Sequence, residues 1–219
     1  APNREQSAVG HAITLSDPLR VDEINRSNGF KGFSVDGTPS DCVKIATQAL
    51  LEVEPNVIVS GINLGSNTGT NIIYSGTVSA ATEGTMLKIP SVAVSLNSFE
   101  SRDFAGAKKA AKTVVSHVLE KGLPEKTLLN VNVPAIPENE LKGYKITQQG
   151  NVAFRDSFEK RVDPKGRVYY WMTGQMFDPD EEPNMDHNAV MDNFVSISPI
   201  HYRLTNHDFL DELKSWDLS

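Results

Sequence analysis

The sequence predicts an α/β protein: a mostly parallel sheet covered by helices on both faces, followed by a β-rich C-terminal extension. Three observations predict it. Short, continuous, β-branched runs alternate with helical segments through the first half. Their spacing is that of βαβ units, which place helices on both sides of a parallel sheet. Past residue 142 the strand-like runs continue without helices between them. The expected division is therefore a core over residues 1–142 and an extension over residues 143–219.

The elements follow in order. Residues 39–53 (PSDCVKIATQALLEV) predict a helix, with Thr38 as N-cap and Pro39 at the first helical position, where no N–H is needed. Residues 56–60 (NVIVS) are apolar and β-branched, the pattern of a buried strand. A loop rich in Gly and Asn leads to a helix over 77–88 and a second buried strand over 91–96 (SVAVSL). A third helix over 104–121 stops at Gly122 and Pro124, and residues 128–133 (LLNVNV) predict a third strand. In the extension, residues 144–149, 167–172 and 194–200 read as strands. The acidic, Pro-bearing stretch 177–188 reads as a loop, and 207–218 as a short amphipathic helix.

Composition narrows the function classes. A net charge of −7 argues against a nucleic-acid polymer as partner, because phosphate backbones demand clustered Lys and Arg. No apolar run approaches the roughly 20 residues that cross a bilayer, so no membrane is expected. Cys42 is the single cysteine, which rules out an intramolecular disulfide and fits a reducing, cytoplasmic location. The five histidines show neither HxH nor HExxH spacing, so a histidine metal site or a Ser-His-Asp triad has little support. The glycine spacing does not fit a dinucleotide fingerprint either.

The chemistry lies in two neutral loops. Ser60-Gly61-Ile62-Asn63-Leu64-Gly65-Ser66-Asn67 leaves the carboxyl end of a strand, where open α/β sheets place their ligands. Tyr74-Ser75-Gly76-Thr77-Val78 opens a helix, whose free N–H groups and dipole favour an anion. Either segment alone is more simply a turn, since Gly, Asn and Ser are common turn formers. Together in one βαβ unit, joined by an unusually long connection, they point to a site. No Asp, Glu, Lys or Arg occurs between Pro55 and Thr82, so a phosphate here would be held by amides and hydroxyls. A phosphate monoester is close to a dianion at neutral pH, and its hydrolysis requires charge stabilisation that a divalent cation can supply. Asn63 and a serine hydroxyl can be neutral oxygen ligands, but such ions normally take carboxylates as well.

These residues resemble the SurE family (stationary-phase survival proteins) over nearly the whole chain. The matching pieces are Ala1-Pro2 with Arg4, Gln6 and Ser7; Gly37-Thr38-Pro39-Ser40-Asp41; Ser60-Gly61-Ile62-Asn63 with Gly65 and Asn67; Tyr74-Ser75-Gly76-Thr77-Val78; and Asn130-Val131-Asn132-Val133-Pro134. The resemblance implies a Rossmann-like core and a metal-dependent phosphatase of nucleoside 5′- and 3′-monophosphates, with short polyphosphate as another substrate. It implies one divalent ion, Mg²⁺ or Mn²⁺ or similar, with Ser7 and Asn63 among its ligands. Asn67, Ser75, Gly76 and Thr77 match the family's phosphate pocket. A homodimer or homotetramer built through the C-terminal extension is also implied. The family's Asn-Asp-Asp-Gly loop, which supplies two metal-binding aspartates, does not occur in these 219 residues. About the first 30 residues of the family pattern are expected to be missing, and a chain without them to be inactive. The alternative is a catalytically incomplete nucleotide-binding or assembly module of the same fold.

Overall fold

The computed structural model describes residues 1–177 and 182–218. An irregular segment leads into an antiparallel hairpin, β1 (Val21–Asn25) and β2 (Lys31–Val35), with Val21 opposite Val35. The apolar-run criterion finds neither strand, because only Val35 in them is fully buried. Helix α1 (Pro39–Ile45) starts where the sequence predicts. Thr38 Oγ1 accepts from Asp41 N–H at 3.1 Å and the Asp41 carboxylate accepts from Thr38 N–H at 2.9 Å, a reciprocal cap. The helix is shorter than 39–53 and passes into a π-helical turn over Ala46–Leu50. Thr47 there turns its hydroxyl onto the carbonyls of Val43 and Lys44, competing with the helical ladder.

Three apolar runs then form adjacent parallel strands: β3 (Ile58–Leu64), β4 (Ser91–Asn97) and β5 (Thr127–Pro134). Helices α2 (Gly76–Met86) and α3 (Ala105–Lys121) make the crossovers. The period-2 alternation of β4 decides which helix covers which face. Val92, Val94 and Leu96 pack against Ala107, Ala110, Val114 and Val118 of α3. Ala93 turns the other way, against Val78 and Ala81 of α2.

The remaining residues both complete this sheet and leave it. In chain order they form β6 (Tyr144–Ile146), β7 (Ala153–Val162), β8 (Val168–Phe177), α4 (Asp186–Met191), β9 (Val195–His201) and α5 (Leu210–Lys214). The sheet order is β3-β4-β5-β9-β6, with β9 antiparallel to β5 and β6 parallel to β9. Two strands from residues 143–219 thus belong to the central layer. Among the described residues, strands β7 and β8 pair only with each other, Ala153 opposite Phe177 and Val162 opposite Val168. Part of the loop predicted over 177–188 (178–181) lies outside the described residues, and its end is helical, since α4 begins at Asp186. No helix among the described residues is long and apolar enough to cross a membrane.

Candidate anion site on the open edge of the sheet

β3 is one of the sheet's two edge strands, and a cavity of about 420 Å³ runs along it from Ile58 to Asn63. Pro39, Cys42 and Val43 of α1, Thr77 and Ala80 of α2, and Arg4 and Gln6 close the other walls. Asn63 and Thr77, taken from the two neutral loops, therefore share one cavity. Ser7, Asn67, Ser75 and Gly76 do not line it.

Each predicted residue has a definable local role. The Asn63 amide donates to the carbonyls of Leu64 at 3.0 Å and Gly65 at 2.7 Å, leaving its Oδ1 without a partner among the described residues. A side chain pinned by its nitrogen offers an oxygen in a fixed position. Gly61, at φ 128°, has to be glycine: a Cβ there would run into the Val94 carbonyl. Ser75 is the N-cap of α2, its Oγ accepting from Val78 N–H at 3.1 Å. That leaves the N–H groups of Gly76 and Thr77 without a helical acceptor, as at any helix start. Thr77 keeps an unpaired hydroxyl among the described residues. Ser7 is exposed, and its hydroxyl has no protein partner there either.

Asn67 is held by the sheet. It is buried, with its Nδ2 donating to Ser95 Oγ at 2.7 Å and its N–H donating to Asn132 Oδ1 at 2.7 Å. Its carbonyl accepts from both Asn130 and Asn132. Its side chain ties the loop to β4 and its backbone ties it to β5, across sequence separations that local reading does not reach. Just beyond, the buried Asp186 carboxylate accepts N–H bonds from Gly69 at 2.9 Å and Gly150 at 3.1 Å, clasping the same loop from α4. Burial pushes the Asp186 pKa up, and the backbone N–H bonds offset only part of that.

Two further groups take their place only in the folded chain. Arg4 arrives at the cavity from the N-terminal segment, so the charge there is not wholly neutral as the loops alone suggest. Glu83, on α2, is 3 % exposed and takes hydrogen bonds at 2.8 Å from both Lys44 Nζ and His11 Nε2. Burial by itself raises the Glu83 pKa, but these two donors outweigh it and hold the carboxyl below its ordinary value. The ion pair fastens the N-terminal segment and α1 to α2. Asp41 resolves as a structural group: it caps α1 and accepts from Thr14 N–H at 3.0 Å and Thr14 Oγ1 at 2.6 Å. Trp171 lies exposed on β8 opposite Glu159, away from this cavity.

For a divalent cation the donors fit in kind but make only part of a shell. Asn63 Oδ1 and the Ser7 hydroxyl are hard, neutral oxygens, whereas such ions take about six oxygens, carboxylates among them. Among the described residues no group of three or more His, Cys, Asp and Glu side chains could hold a metal.

The fold and the cavity define an α/β protein with a cleft between an edge strand and a helix start. Comparison with known proteins is more specific. The family model for "Survival protein SurE" matches residues 1–156. The chain is 45% identical over 218 residues to a protein of Syntrophobacter fumaroxidans named "5'-nucleotidase SurE", covering 100% of this chain and 87% of that one. A protein of the same name from Pelotomaculum thermopropionicum is 50% identical over 98% of this chain and 82% of its own length. The crystal structure of the SurE protein from Aquifex aeolicus superposes with a TM-score of 0.83 at 40% identity, covering 97% of this chain and 85% of that one. The chain belongs to the SurE family.

Proposed function

We propose that the protein hydrolyses nucleoside 5′- and 3′-monophosphates to nucleoside and phosphate, with one divalent ion such as Mg²⁺ or Mn²⁺. Short polyphosphate would be a second substrate of the same chemistry. The nucleotidase names of its relatives support this reading. The observation that carries it is the meeting of Asn63 and Thr77 in one cavity with Arg4 at its wall. The Gly76 and Thr77 N–H groups and the Thr77 hydroxyl would hold phosphoryl oxygens, at the positive end of the α2 dipole. Arg4 would balance their charge. Asn63 Oδ1 and Ser7 are the oxygens this chain would offer the ion, beside the carboxylates of an Asn-Asp-Asp-Gly loop that is absent from these residues. When bound, the ion would polarise the phosphoryl group and acidify a water.

The site would work in the cytoplasm, consistent with one unpaired cysteine. We further propose assembly into a homodimer or homotetramer through the β7–β8 hairpin. A hairpin paired with nothing else is marginal in water, yet this one exposes Phe158 at 65%, Trp171 at 56% and Met172 at 64%. Sedimentation at micromolar concentration is expected to give twice or four times the 24.0 kDa chain mass.

The absence of an acidic cluster among the described residues favours a second reading, a binding or assembly module without turnover. Phosphate release from a nucleotide panel, with and without Mg²⁺ or Mn²⁺, separates the two. With the Asn-Asp-Asp-Gly segment joined to these residues, metal-dependent release from monophosphates is expected. Tight nucleotide binding with no release under any metal would establish the second reading.

A further inference from the structure

A second cavity, of about 320 Å³, adjoins the first and shares Arg4 and Gln6 with it. Its other polar walls include Asp17, Arg20, Asp36 and Thr38. Three chain segments form it, and hydrogen bonds tie two of them, residues 12–20 and 36–41, to each other. Thr38 Oγ1 donates to the Ala12 carbonyl at 2.7 Å, and Asp36 N–H donates to the Arg20 carbonyl at 2.9 Å. The Asp41 carboxylate holds Thr14 N–H at 3.0 Å and Thr38 N–H at 2.9 Å. The frame is fixed while its charged heads are not used: Arg4, Asp17, Arg20 and Asp36 make no side-chain hydrogen bond or ion pair among the described residues.

Resting on the phosphatase reading above, we propose that this cleft receives the nucleoside part of the substrate while the phosphate occupies the neighbouring cavity. Charge decides the ligand class. Two guanidinium groups stand with two carboxylates, so the cleft carries no net charge and a chain of phosphates would meet Asp17 and Asp36. A nucleoside is neutral and needs both donors and acceptors. Its sugar hydroxyls can donate to a carboxylate, and its base can stack on or hydrogen-bond to a planar guanidinium. The volume lies at the lower end of the range of about 300–1,000 Å³ usual for small-molecule sites. Arg4 and Gln6 border both cavities, so the two lie side by side, as the two parts of one substrate would require.

Asp17 and Arg20 line only the second cavity and are exposed, so Asp17→Asn and Arg20→Ala test it without touching the phosphate residues. The substrates are adenosine monophosphate and p-nitrophenyl phosphate, and binding of adenosine alone is measured by calorimetry. Both variants are expected to raise KM for adenosine monophosphate about tenfold with kcat little changed, a loss of binding rather than of chemistry. Adenosine affinity should fall in parallel, and kcat/KM for p-nitrophenyl phosphate should stay within about twofold. Equal losses on both esters, or no change with adenosine monophosphate, would overturn the proposal. Adenosine binding that depends on Arg20, in a protein that hydrolyses neither ester, would uphold the cleft and defeat the phosphatase reading. Hydrolysis of both esters without measurable adenosine binding, and with both variants silent, would do the reverse. Melting temperatures confirm that each variant folds, and either variant alone decides the matter.

Discussion

Asn63 shows how one side chain can be readied for a ligand by its own loop. Its nitrogen is committed to the carbonyls of Leu64 and Gly65, and the oxygen is left over. Asn63→Ala is expected to lower metal affinity and phosphate release about 10–100-fold, as loss of a metal-orienting partner does, with little change in melting temperature. Unchanged metal titrations in that variant would remove Asn63 from the site. Glu83 sits at the opposite extreme, a buried carboxylate already satisfied. Breaking a buried pair costs about 3–5 kcal/mol, but Lys44 is 39% exposed, so screening brings the expected loss for Glu83→Gln to about 1–2 kcal/mol. Denaturant unfolding measures it.

At the level of elements, the site depends on how the link between β3 and α2 is held. Asn67 anchors it to the sheet and Asp186 anchors it to α4. Asp186→Ala leaves the N–H groups of Gly69 and Gly150 without their acceptor, at about 1–3 kcal/mol for each buried group. The variant is expected to lose at least about 2 kcal/mol of stability and to exchange those two amide hydrogens faster, while α3 exchanges as before. Uniform acceleration across the molecule would mean that the clasp has no local role.

The same elements show what the sequence does and does not reveal. β4 and β5 are buried on both faces, so their apolar runs are readable without any partner. β1, β2 and β7 are exposed or half-buried, and their polar residues hide them. The site divides in the same way. Asn63 and Thr77 lie in loops whose Gly, Ser and Asn content is itself a local signal. Arg4 and the bonds of Glu83 to Lys44 and His11 exist only once segments 39 and 72 residues apart have come together.

For the molecule as a whole, pH dependence sums such groups. Burial pushes the carboxyls of Glu83 and Asp41 up, but hydrogen bonds from Lys44 and His11, and from Thr14 and Thr38, bring both below their ordinary values of 4.5 and 3.8. Their contributions are complete above those values and are lost as the pH falls through the lower folded ones. Asp186 has the opposite sign: its folded pKa lies above 3.8, so its ionisation opposes folding as the pH rises and relaxes in acid. Glu83 and Asp41 therefore destabilise the fold in acid, and Glu83→Gln is expected to flatten the acid loss of stability. A steeper acid loss in the variant would contradict the assignment.

The proposed seat of the phosphate is the start of α2, across the cavity from β3. Amide NMR during titration with a nucleoside monophosphate tests it most directly. The Gly76 and Thr77 N–H resonances are expected to move first and furthest, in step with binding. Saturation by the nucleotide with those two resonances unmoved would contradict it.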